Sequence, residues 1–134
     1  MATILAHIKI RAGKEARFEE LAEELYASSH GVEKKLLRYE YWRGQEPGRY
    51  YTLLAFEDYH GFLEHESSPH HLDATPELRR IIEEIKLEFL DPVPNASPLP
   101  STVVQGAPPN ASEVVANYAK RIPVTIASWW PTRA

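Results

Sequence analysis

The sequence predicts an α+β fold of the ferredoxin-like kind, a four-stranded antiparallel sheet with helices on one face in the order βαββαβ. Two observations predict it. Apolar residues recur every second position in four separate segments, and every third or fourth position in the stretches after the first and third of them. A third observation sets the boundary. Residues 1–92 hold all six histidines and four of the eleven prolines, whereas residues 93–134 hold seven prolines and four charged residues. The expected organisation is therefore a compact unit over 1–92 and a proline-rich arm over 93–134 with one short helix near 113–121.

Each element has its own signature. Thr3 to Ile10 puts Ile4, Ala6, Ile8 and Ile10 on one strand face and Leu5, His7 and Lys9 on the other. Ala12-Gly13-Lys14 breaks this strand. From Glu15 to Ser28, Phe18, Leu21, Ala22 and Leu25 fall at helical spacing with glutamates opposite, and Gly31 is placed to end the helix in a left-handed cap. Leu36–Arg43 reads as a second strand with Tyr39 and Tyr41 sharing a face and Arg38, Glu40 and Trp42 sharing the other. Gly44-Gln45-Glu46-Pro47-Gly48 is a turn leading to a third strand over Arg49–Glu57. Asp58 is positioned to cap a short helix through Glu66 that presents Tyr59, Phe62 and Leu63. Thr75-Pro76-Glu77 carries the cap-then-proline signal for the next helix, with Leu78, Ile81, Ile82 and Ile85 as its apolar side, and Lys86–Leu90 is the expected last strand. In the arm, Ser112 is set to cap a helix through Arg121, stopped by Pro123, and Trp129 or Trp130 is the expected anchor. Pro-Asn-Ala-Ser occurs twice, at 94–97 and 109–112. Two copies of four residues do not make an architectural repeat.

The sheet face away from the helices needs a cover. Leu5, Leu36, Trp42, Tyr51 and Leu53 are its candidates, and a second copy packed sheet against sheet supplies one, so a homodimer is expected. The formal charge of -4 gives no general attraction to a nucleic-acid backbone. The chain has no cysteine, hence no disulfide framework and no thiolate chemistry, and its apolar runs are too short for a bilayer. With no secretory signal in the opening residues, a cytoplasmic protein without membrane association is expected.

Chemistry concentrates at Glu64-His65-Glu66-Ser67-Ser68-Pro69-His70-His71, where three histidines fall within seven residues. Imidazole titrates nearest neutrality, and the end of a short helix is a place to hold a base. His65 is the candidate. The competing reading makes it a histidine that caps backbone groups before Pro69. His71 is expected to face solvent. A metal site from His65, His70 and His71 needs further ligands such as His7, Glu66 or Asp73, while His60 and His65, five apart, pair poorly on a helix for one ion, and no metal is expected.

The run Ala2-Thr3-Ile4-Leu5-Ala6-His7-Ile8-Lys9-Ile10-Arg11-Ala12-Gly13-Lys14 resembles the opening strand and turn of antibiotic biosynthesis monooxygenase-like domains. Arg49-Tyr50-Tyr51-Thr52-Leu53-Leu54-Ala55-Phe56-Glu57-Asp58, followed by His65-Glu66-Ser67-Ser68-Pro69-His70, resembles their third strand, short helix and histidine turn. The likeness covers about the first two thirds of the chain and not the arm. It implies a dimeric α/β barrel of ferredoxin-like subunits, each with a pocket between sheet and helices. Family members include monooxygenases that need no metal or flavin, haem-degrading enzymes and isomerases of small carbonyl compounds. His65 and His70 match the histidine turn. Phe56 stands where many members carry tryptophan. The first strand has His7 and Ile8 near the place of the asparagine that haem-degrading members use, which disfavours haem.

The resulting expectation is a cofactor-independent monooxygenase acting on a small aromatic, quinol or polyketide-like compound. His65 serves as base, Tyr39 orients a substrate oxygen and Arg38 stabilises an oxyanion if its face turns inward. Tyr41, Tyr50, Phe56, Phe62 and His70 form the expected substrate wall. The alternatives are a proton-transfer isomerase and a catalytically inert dimeric binding module.

Overall fold

In the computed structural model, which describes residues 1–131, the elements run β1 (Ala2–Ile10), α1 (Glu15–Val32), β2 (Leu36–Arg43), β3 (Arg49–Phe56), α2 (Tyr59–Glu66), α3 (Pro69–Ile81), β4 (Ile82–Phe89) and α4 (Glu113–Arg121). The sheet order is β2-β3-β1-β4 with every pairing antiparallel, the ferredoxin-like topology. Among the described residues no helix is long and apolar enough to cross a membrane.

Strand alternation decides which residues enter the core. Ile4, Ala6, Ile8 and Ile10 on β1 are buried beneath the helices, together with Tyr39 on β2 and Tyr50, Leu54 and Phe56 on β3. The register pairs Ile4 with Leu54 and Ile8 with Tyr50, so the buried sets of adjacent strands stack side by side. The opposite face holds Leu5, Tyr51 and Leu53, half-buried, and Trp42, 58% exposed. Leu36 is not on that face. A bulge between Leu36 and Arg38 shifts the register, and Leu36 packs against the core instead.

Three boundaries differ from the sequence expectation. First, Gly31 does not cap α1, which runs on through Val32 with Glu33 as its C-cap. Second, α3 starts at Pro69, not Pro76. Ser68-Pro69 carries the same cap-then-proline signal as Thr75-Pro76. The Ser68 hydroxyl accepts from the His71 amide, whereas the Thr75 hydroxyl donates back to the His71 carbonyl at 2.8 Å and Pro76 lies inside the helix. Third, β4 starts at Ile82, so Ile82 and Ile85 are strand residues facing Ile10 and Ile8. Isoleucines three apart satisfy either periodicity, and the strand pairing with β1 decides.

The arm packs on its own chain. The Thr102 hydroxyl donates to the Leu90 carbonyl at 2.6 Å, the Tyr59 amide donates to the Gln105 side chain at 3.0 Å, and the Tyr59 hydroxyl donates to the Ile122 carbonyl at 2.6 Å. Tyr118 of α4 is buried and Trp130 packs against the core, while Trp129 is 80% exposed. The repeated tetrapeptide is a repeated turn. Asn95 and Asn110 both adopt positive φ, and the amides of Ala96 and Ala111 bond back to the carbonyls of Val93 and Pro108. Proline followed by asparagine with positive φ is the preferred chemistry for such a turn.

Two glycines on helices predict opposite outcomes. A methyl group at Gly61 would stand 2.7 Å from Lys35 Cβ and 3.1 Å from Phe56 Cβ, while one at Gly31 would meet nothing within 4 Å. Gly61→Ala is expected to destabilise the protein by about 1–3 kcal/mol through forced repacking. Gly31→Ala is expected to stabilise it by about 0.5–1 kcal/mol through helix propensity and a stiffer unfolded chain. Urea unfolding of both variants checks the pair.

Candidate active site

The buried face of α1 continues past Leu25 to Ser29, and the chain leaves the helix at Glu33, four residues on. That places a hydroxyl and a carboxylate where α1 meets the α2–α3 junction. The Glu33 carboxylate accepts from His65 Nδ1 at 2.9 Å and from His70 Nε2 at 2.8 Å. Ser29 Oγ lies 3.0 Å from His70 Nε2 and Ser68 Oγ lies 3.1 Å from it. Burial alone would raise the Glu33 pKa. The hydrogen bond and charge of His65, with the bonds from Ser29 and His70, outweigh burial and hold it at about 2. An ionised carboxylate only accepts, so His65 Nδ1 and His70 Nε2 both carry protons. The tautomer of His65 is thereby fixed, with Nε2 left as the basic nitrogen.

His65 is 1% exposed and lines a cavity of about 370 Å³ between the sheet and α2, α3 and α4. Tyr39, Tyr41, Thr52 and Leu54 form the sheet side of this cavity. The Tyr39 ring meets His65 edge-on at 4.7 Å between centroids. The hydroxyls of Tyr39 and Tyr41 bond to each other. Burial pushes both phenols above their ordinary pKa, so both are neutral near pH 7, and one proton of the pair is free to donate to a bound molecule. Thr52, 4% exposed, lines the same cavity with a hydroxyl that has no hydrogen-bond partner among the described residues.

Glu66 and His71 add a second titratable group of residues. Burial raises the Glu66 carboxyl, with His65 and Arg121 pulling the other way. Burial also pushes His71 down to about 4, so its imidazole is neutral. His65, Glu66 and His71 offer ligand atoms within 4.8 Å of one another, close enough to share a proton or a cation. This is a different set from the one weighed in the sequence, because α3 begins at Pro69 and carries His71 inward while Glu33 takes His70.

The structure brings only some of the expected site residues together. His65, Tyr39 and Tyr41 share the cavity. Phe56 supports His65 from behind, 5.5 Å between ring centroids, and Phe62 meets Phe56 edge-on in the core; neither lines the cavity. His70 is a brace for Glu33 and not a wall residue. Tyr50 points to the α1 side, where its hydroxyl donates to Glu19 at 2.6 Å. Arg38 is the clear correction. Strand alternation turns it to the outer sheet face, where its guanidinium pairs with Glu40 at 2.8 Å. His7 shares that outer face and bonds to Glu88 at 3.1 Å. His71 is not solvent-facing. Glu33, Ser29 and Thr52 lie outside the expected site, and Glu66 enters it only as a possible metal ligand; the α1 apolar stripe, continued by four residues from Leu25, reaches Ser29.

Residues 1–77 match the family model for antibiotic biosynthesis monooxygenase. Among solved structures, a putative antibiotic biosynthesis monooxygenase from Caulobacter crescentus superposes with a TM-score of 0.65 at 23% identity, covering 69% of this chain and 89% of that one. A crystal structure named as an antibiotic biosynthesis monooxygenase gives 0.65 at 20% identity, over 70% of this chain and 100% of that one. A protein of Pseudomonas aeruginosa gives 0.63 at 19% identity, over 69% and 93%. At these identities the likeness is one of fold. No curated protein matches the sequence.

The Glu33 clamp makes a pH prediction. The folded pKa of about 2 lies below the ordinary 4.5, so the group contributes stability that is fully present above pH 4.5 and is lost as pH falls toward 2. Glu33→Gln is expected to be less stable at pH 7 and to show a flatter stability curve between pH 4.5 and 2. Urea midpoints across that range measure it. The His71 contribution, lost between 6.5 and about 4 as pH falls, is present in both proteins.

Proposed function

We propose, for a chain that belongs to the antibiotic biosynthesis monooxygenase family, a cofactor-independent monooxygenase reaction on a small aromatic, quinol or polyketide-like compound. The observation that carries this reading is the buried His65, held by Glu33 through Nδ1 and lining a largely apolar cavity, with its Nε2 making no hydrogen bond among the described residues.

The chemistry follows from the arrangement. His65 Nε2 removes a proton from a phenolic or enolisable substrate. Glu33 stabilises the imidazolium that results. The Tyr39–Tyr41 pair donates a hydrogen bond to the substrate oxygen, where negative charge builds. The electron-rich anion then reacts with dioxygen in a largely apolar cavity. For an activated CH₂ carbon the balance is simple: the carbon becomes a carbonyl, one oxygen atom stays in the product and the other leaves as water. The substrate supplies all four electrons.

A second reading has one observation in its favour. Glu66, a carboxyl with a raised pKa, stands in the same cavity as His65. Two proton carriers in one site suit an isomerase that takes a proton from one carbon and returns it to the next. The functional unit in either case is a homodimer. Its support is the apolar set Leu5, Tyr51, Leu53 and Trp42 on the outer sheet face.

Oxygen uptake on a panel of quinols and anthrone-like phenols tests the reading. Wild type is expected to consume oxygen at a rate that survives chelation. His65→Ala is expected to lose at least about a hundredfold in kcat and Glu33→Gln about tenfold. Uptake unchanged in His65→Ala refutes the base assignment. Deuterium exchange into a hydroxy-ketone without oxygen uptake selects the isomerase. For the assembly, sedimentation equilibrium is expected to give two chains for wild type and one for Leu53→Glu.

A further inference from the structure

The arm helix α4 forms part of the cavity wall. Tyr118, Arg121 and Ile122 line it, opposite the strand residues that carry Tyr39 and Thr52. The family match ends at residue 77, so this wall lies outside it. Arg79, near the end of α3, lines the same cavity. Arg79 and Arg121 are both exposed, and neither makes an ion pair within 4.0 Å or a hydrogen bond among the described residues. The Arg121 guanidinium stands 5.4 Å from the centroid of the Tyr118 ring. Burial raises the Tyr118 pKa and the Glu66 carboxylate adds to this, while Arg121 and Arg79 pull it down, so both arginines act on the phenol at this wall. The Tyr118 hydroxyl has no hydrogen-bond partner among the described residues.

These features give the cavity two unlike ends. The inner end holds the groups that handle a phenolic oxygen: His65, the tyrosine pair and the unpartnered Thr52 hydroxyl. Ala6, Ile8, Phe18 and Leu54 supply apolar wall between. The rim offers two guanidiniums and a phenol, all hydrogen-bond donors. Glu83 also lines the rim and is exposed, but its carboxylate neutralises neither arginine by contact. Glu66 also lines the cavity, and burial raises its carboxyl while His65 and Arg121 pull the other way. In a chain of formal charge -4, a cationic pair with no ion-pair partner in contact among the described residues, at the mouth of its histidine cavity, suits an anionic ligand.

We propose that this site takes a small aromatic carboxylate, its ring and hydroxyl directed at His65 and its carboxylate bound at the rim by Arg121 of the arm with Arg79. A planar carboxylate fits the guanidinium fork. The volume of about 370 Å³, at the small end of ligand pockets, suits one or two rings. The inference rests on the same cavity as the monooxygenase reading and names its substrate class.

Titration calorimetry on the full chain tests it with gentisate and salicylate against their methyl esters. Wild type is expected to bind each acid about tenfold more tightly than its ester, with the preference shrinking as salt rises. Arg121→Ala is expected to reduce the ratio to about one by weakening the acid and not the ester. Arg121→Lys keeps part of it, which separates lost charge from lost folding. Equal binding of acid and ester by wild type, no binding of either acid, or a ratio untouched in both Arg121→Ala and Arg79→Ala overturns the proposal. His65→Ala is expected to keep the acid preference. Loss of oxygen uptake and loss of acid preference are thus read separately, and either claim can fail without the other.

Discussion

One carboxylate holds the candidate site in register. Glu33 is the first residue beyond α1, and its two oxygens take protons from α2 through His65 and from α3 through His70. Three elements are thereby tied at one point. Its side chain is about 10% exposed, so its hydrogen bond with His65 is formed largely away from water. A buried carboxylate is tolerated only when its charge is met by hydrogen bonds, and here Ser29 contributes another. The same bond that stabilises the charge decides which nitrogen of His65 is basic. Folding and chemistry therefore depend on a single contact.

The sheet supplies the other half of the geometry. Because Tyr39 and Tyr41 are two apart on β2, they lie on the same face and their hydroxyls meet above the sheet. The antiparallel register sets Tyr41 opposite Thr52 and Tyr39 opposite Leu54, so two phenols and a threonine hydroxyl line the cavity from neighbouring strands. The same alternation sends Arg38, Glu40 and Trp42 outward. Polar chemistry and sheet-face packing are separated by one residue of register.

Much of this was legible in the sequence, and for identifiable reasons. The strands β1, β2 and β3 read cleanly because one face of each is apolar and the other mixed. His65 stood out because α2 is short, capped by Asp58, and places it at the inner end. The α3–β4 boundary was not legible. Thr75-Pro76 imitates a helix start, and only the side-chain bonds of Ser68 and Thr75 tell the true cap from the false one. Glu33 escaped notice because its role depends on contacts 32 and 37 residues away in sequence, which no local period encodes. Arg38 was assigned on residue type, while strand alternation already placed it opposite Tyr39.

The position of α4 in the chain has a consequence for biogenesis. Synthesis delivers β4 some two dozen residues before Glu113, so sheet, clamp and histidine exist before the last wall arrives. A nascent chain at that stage lacks the wall that Tyr118, Arg121 and Ile122 supply. A segment added last is also one that evolution can exchange without disturbing what it covers. The Arg121 wall and the histidine beneath it are thus supplied by separate parts of one polypeptide.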